Sequence, residues 1–94
     1  MENSVVYKLW ISSRPPGERP PLIKVNQGEM LTLVVSTQSP GMIYIHGYDV
    51  QIGLKPGEDV SLSFLANLPG SFPVHVHDPD GSMRQVARLE VQPH

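Results

Sequence analysis

The chain has 94 residues, a formal net charge of −2 and no cysteine, and its 7 Lys and Arg are scattered rather than clustered. This balance excludes the basic field that holds nucleic acid or an anionic lipid surface. Zero Cys excludes disulfides, thiolate nucleophiles, zinc ribbons and iron–sulfur clusters, and no apolar run approaches the ~20 residues of a membrane-spanning helix. Ninety-four residues make one domain over 1–94, with room for a single core.

The punctuation is that of an all-β chain: 10 Pro and 8 Gly cut it into short segments, none with a sustained helical period. Val5, Tyr7, Leu9 and Ile11 alternate with Val6, Lys8 and Trp10, a half-buried first strand. Arg14 to Pro21 carries four prolines and reads as an irregular, polyproline-like connection. A short strand, Leu22 to Val25, precedes a turn at Asn26-Gln27-Gly28-Glu29, after which Leu31, Leu33 and Val35 alternate with polar or smaller neighbours. Ser39-Pro40-Gly41 turns into a strand over Met42 to His46, and a glycine-hinged stretch runs from Tyr48 to Leu54. Lys55-Pro56-Gly57-Glu58 has Pro and Gly where a type II turn wants them. Val60, Leu62 and Phe64 then point inward, and Asn67-Leu68-Pro69-Gly70 turns again. Phe72, Val74 and Val76 form the core side of the next strand, leaving Pro73, His75 and His77 outside. Pro73 predicts an edge position or a bulge, because proline cannot donate to a ladder. Asp78-Pro79-Asp80-Gly81 is a tight turn, and Ala87, Leu89 and Val91 close the domain. Seven or eight such strands predict a β-sandwich or small barrel.

The chemistry concentrates in the histidines. His75 and His77 are separated by one residue in a β pattern and so project from one face. His46 meets them if its strand lies beside theirs. Imidazole is the commonest protein ligand for copper and zinc, which makes this trio the sharpest functional signal in the chain. The fourth histidine, His94, is the last residue, where chains fray. A plainer reading stands beside it: His75 and His77 are polar residues on the outward face of a strand next to a turn. Asp78-Pro79-Asp80-Gly81 invites a calcium loop, but Met83 and Leu89 stand where an EF-hand needs Gly and Glu. No Ser-His-Asp spacing, phosphate loop or paired-carboxylate motif stands out, so enzyme activity is not expected.

From Ile23 to Val91 the chain resembles a cupredoxin domain. The landmarks are Ile-Lys-Val-Asn-Gln-Gly-Glu at 23–29, His46-Gly47-Tyr48, Leu54-Lys-Pro-Gly-Glu58, Val60-Ser-Leu-Ser-Phe64, Pro69-Gly70-Ser-Phe72 and Arg88-Leu-Glu-Val91. The segment is also similar to the His-Cys-His run of multicopper oxidases, where a Pro-Gly-aromatic step precedes the ligands. The resemblance implies a Greek-key β-sandwich of seven or eight strands, with His46 as the first copper ligand and Met83 near the place of the axial methionine. It also exposes a departure. Val76 stands where type 1 copper proteins carry the Cys thiolate. Without that thiolate there is no blue copper centre tuned for electron transfer. Four histidines are too few for the many-histidine copper cluster of a multicopper oxidase.

The resulting expectation is a periplasmic or extracellular copper-binding protein that stores, delivers or buffers the ion, with a leader removed ahead of Met1. Its metal ligands are His46, His75, His77 and Met83, and Asp49, Asp78 and Asp80 are acceptors for imidazole N–H groups. Zinc and nickel share the imidazole ligand. The expected partners are the metal ion and a protein that receives it, and affinity should fall below about pH 6.5 as imidazole protonates. The alternative is a metal-free interaction module. It would dock a partner through a sheet edge near Pro73 or an apolar surface about Trp10 and Met42.

Overall fold

A computed structural model describes residues 4–11 and 19–93. The polyproline-like connection expected over 14–21 therefore lies outside the described residues except for 19–21, and so does His94. The strands are β1 (Ser4–Ile11), β2 (Leu22–Asn26), β3 (Met30–Thr37), β4 (Gly41–Ile45), β5 (Val50–Leu54), β6 (Val60–Leu65), β7 (Gly70–His77) and β8 (Met83–Gln92). They form a sandwich of two sheets ordered β1-β3-β6 and β2-β8-β7-β4-β5. Two pairings are parallel, β1 with β3 and β2 with β8; the others are antiparallel.

Alternation drives the packing. Leu31, Leu33 and Val35 of β3 face Ile43 and Ile45 of β4, Val74 and Val76 of β7, and Leu89 and Val91 of β8 within one cluster, all essentially without exposure. Burying side chains of this size contributes roughly 1.5–3 kcal/mol each, the main force holding the two sheets together. The Lys55–Glu58 turn closes as expected: Glu58 N donates to Lys55 O at 3.0 Å, and Gly57 takes the left-handed φ of 78° that its type II position needs.

Of the edge or bulge expected at Pro73 the structure shows the bulge, and one other expectation is corrected. Pro73 is not on an edge, because β7 lies between β8 and β4 in the sheet centre. It is tolerated because β4 pairing stops at Ile45 opposite Val74, so its missing donor falls where the neighbouring strand has ended. The bulge lies one step on, between Val74 and His75, where the register along β8 steps from Ala87 to Gln85 and skips Val86. Nor do Trp10 and Met42 share a surface. Trp10 sits on the outer side of β1 in one sheet, and Met42 on the outer side of β4 in the other.

Candidate metal centre

Directly opposed residues of paired strands share a face, with Cβ atoms about 4.5–5.5 Å apart. The outer face of the five-stranded sheet is thus built of cross-strand rows. One row runs Gln85, His75, Tyr44 and Gln51 across β8, β7, β4 and β5. The next runs Met83, His77, Met42 and Gly53. The bulge at Val86 re-sets β8 by one residue, which brings Met83 and Gln85 to this face while Ala87 and Leu89 stay in the core.

His46 comes directly after β4. The strand ends one residue earlier than its sequence suggests, but His46 N still donates to Pro73 O at 3.1 Å. Gly47 and Tyr48 fix the backbone that follows His46. Gly47 has a φ of 87°, and a Cβ there would strike the Phe72 ring. Tyr48 packs edge-on against Phe72 with ring centroids 4.9 Å apart. Its hydroxyl donates to Leu68 O at 2.6 Å and accepts from Leu68 N at 2.9 Å. The loop after His46 is therefore tied to β7 and to the turn before it.

The structure brings His46 and His75 together. Their rings meet edge to face with centroids 4.6 Å apart, and Tyr44 also packs edge-on with His46 at the same separation. Nε2 of His46 and Nδ1 of His75 are both shut off from solvent without a hydrogen-bond partner. Desolvation lowers the pKa of His75 first, and the neighbouring His46 and His77 lower it further. The ring is neutral at pH 7, with its lone pair available.

His77 stands apart from that pair, one row along, with its ring 6.3 Å from Tyr44. Met83 lies opposite it and is exposed. Among the described residues, no three His, Asp or Glu side chains converge as a ready metal cage. The expected donors are thus divided into a close pair, His46 and His75, and a neighbouring row holding His77 and Met83.

The carboxylates have other work. Asp49 accepts from the Tyr44 hydroxyl at 2.8 Å, and Tyr44 in turn packs edge-on with His46. Asp80 accepts from Ser82 N and Oγ at 2.9 and 2.6 Å, and Asp78 accepts from Ser82 Oγ at 3.1 Å with Arg84 Nε 3.8 Å away. Those contacts brace the β7–β8 turn. Tyr44 is the residue that sequence reasoning passed over, although its spacing of two from both Met42 and His46 puts all three on one side.

Solved structures with the same arrangement decide the fold. Copper nitrite reductase from Nitrosomonas europaea superposes with a TM-score of 0.73 at 18% identity, over 97% of this chain and 42% of that one. A copper-binding protein solved in its apo form gives 0.73 at 14% identity, over 98% of this chain and 91% of that one. A multi-copper oxidase from Pseudomonas thermotolerans gives 0.71 at 20% identity, over 99% and 30%. The fold is cupredoxin-like. The chain spans less than half the length of the two enzymes. No family model matches it, and no curated protein does.

Within this cupredoxin-like sandwich, the side on which each β7 residue leaves the sheet is informative. Val76 is buried opposite Ile43, on the core side of β7, while His75 and His77 leave by the other side. The site is therefore a histidine-and-methionine surface on the outside of a sheet. The residues fit a late first-row metal: two buried imidazole nitrogens lack partners, and further imidazole and thioether donors lie beside them.

Proposed function

We propose that the protein binds copper without carrying electrons, and stores, delivers or buffers the ion outside the cytoplasm. His46 and His75 hold the metal, with His77 as the next imidazole of the face. The observation that carries this reading is the pair of orphaned nitrogens, Nε2 of His46 and Nδ1 of His75. A buried polar atom left unpaired costs about 1–3 kcal/mol, and a metal ion on a neutral imidazole removes that penalty. Imidazole donors favour Cu(II) over Zn(II) in the usual stability order, so zinc is the weaker competitor. No thiolate is present to tune a fast redox couple. A protein partner would receive the ion from the open sheet face.

A titration of the apo protein with Cu(II), followed by electron paramagnetic resonance, tests this. A stoichiometric signal with nitrogen hyperfine structure is expected, and it should be lost in His46→Asn/His75→Asn. A copper signal identical to that in buffer would overturn Cu(II) binding and leave the metal-free interaction module as the better reading.

A further inference from the structure

The row beside the histidine pair has its own chemistry. His77 is flanked on one strand by Met42 and on the other by Met83, each directly opposite it and on the same face. Both methionines are large apolar side chains held in solvent, 41% exposed at Met42 and 53% at Met83. Their exposure is not explained by packing, since each lies on the side of the sheet away from the core. Beyond Met42 the row ends in Gly53, where a Cβ would meet nothing within 4 Å. The thioether of Met42 is thus left uncovered. Opposed side chains at about 5 Å between Cβ atoms, two of them long and unbranched, can bring two sulfurs and one imidazole nitrogen onto one ion.

Thioether sulfur is a soft ligand that selects Cu(I), whereas imidazole accepts either oxidation state. We infer that Met42, His77 and Met83 form a Cu(I) station distinct from the His46–His75 pair. The inference rests on the copper reading for the identity of the ion. It adds a donor, Met42, and a division of labour: the borderline Cu(II) ion goes to the imidazole pair, and the reduced ion goes to the methionine row. The station sits at the end of the sheet next to the Asp78–Ser82 turn, on an open face from which an ion can pass to an acceptor.

The chain supplies its own control, since Met30 opens β3 in the other sheet, away from this row. The full chain, labelled at the methionine methyl carbons, is titrated with Ag(I) as a redox-silent stand-in for Cu(I). The first equivalent should shift the Met42 and Met83 methyl signals together and leave Met30 in place. In Met42→Leu/Met83→Leu, Cu(I) affinity measured against a chelating dye should fall more than about tenfold. Leucine is apolar and similar in volume, so the exposed replacement preserves the fold. Methyl signals that stay still, or that all move in parallel, would overturn the station, as would a Cu(I) affinity unchanged in the double variant. The two copper readings separate cleanly. Methyl shifts without Cu(II) nitrogen hyperfine structure would sink the histidine pair alone, whereas hyperfine structure without methyl shifts would sink the row alone.

Discussion

His75 is the histidine of the site whose titration is shifted by its surroundings. Its pKa is held below the ordinary 6.5 by desolvation and by two neighbouring imidazoles, so the unfolded chain takes up this proton more readily than the folded one. Stability is therefore full above about pH 6.5 and is lost as the pH falls below it, levelling off under the folded-state pKa. Thermal melts of the apo protein between about pH 7 and 5 should show this decline, and His75→Gln should flatten it. Equal slopes in the two proteins would contradict the assignment. Gly47 helps fix the backbone that follows His46. Gly47→Ala must hold a left-handed φ of 87° against the Phe72 ring, at a cost of at least about 1–3 kcal/mol. Chemical denaturation measures that loss, and Cu(II) affinity should fall with it because His46 is the residue before.

β7 is the element that makes the site, and its alternation decides what the site is. The period of two sends Val74 and Val76 inward and His75 and His77 outward, and this much was readable in the sequence. The partners across the ladder were not. Nothing local says that β4 lies beside β7, or that Val86 forms a bulge that lines up Met83 with His77. Pro73 pointed correctly to an irregularity but not to a central strand, since the end of β4 that accommodates it lies 28 residues away (Ile45 to Pro73). The same alternation yields a prediction. Val76→Cys should cost only about 1 kcal/mol, the effect of trimming one buried methyl group. It should not create blue copper, because the new thiol faces Ile43 rather than the imidazoles. Intense thiolate-to-copper absorption in that variant would show that the two faces communicate.

The sandwich as a whole separates its surfaces. Trp10 and the outer side of β1-β3-β6 lie opposite the histidine and methionine face of β2-β8-β7-β4-β5, with the core between them. Residue types along the strands suggested one apolar surface about Trp10 and Met42, and only the layering shows that the two lie on independent faces. Because the Cu(II) donors belong to β7 and to the loop that follows β4, a bound ion ties β4 to β7 and stabilises the folded state alone. Free Cu(II) at a hundred times its dissociation constant should add about 2.7 kcal/mol. For a domain of this length that raises the thermal midpoint by roughly 10–20 °C, readable by circular dichroism. The most direct measurement is nitrogen-15 spectroscopy of the imidazole side chains during addition of substoichiometric Cu(II). The His46 and His75 signals should broaden first and together, ahead of His77 and His94. Histidine signals that all broaden in step, or that stay sharp, would contradict a copper site built on that pair.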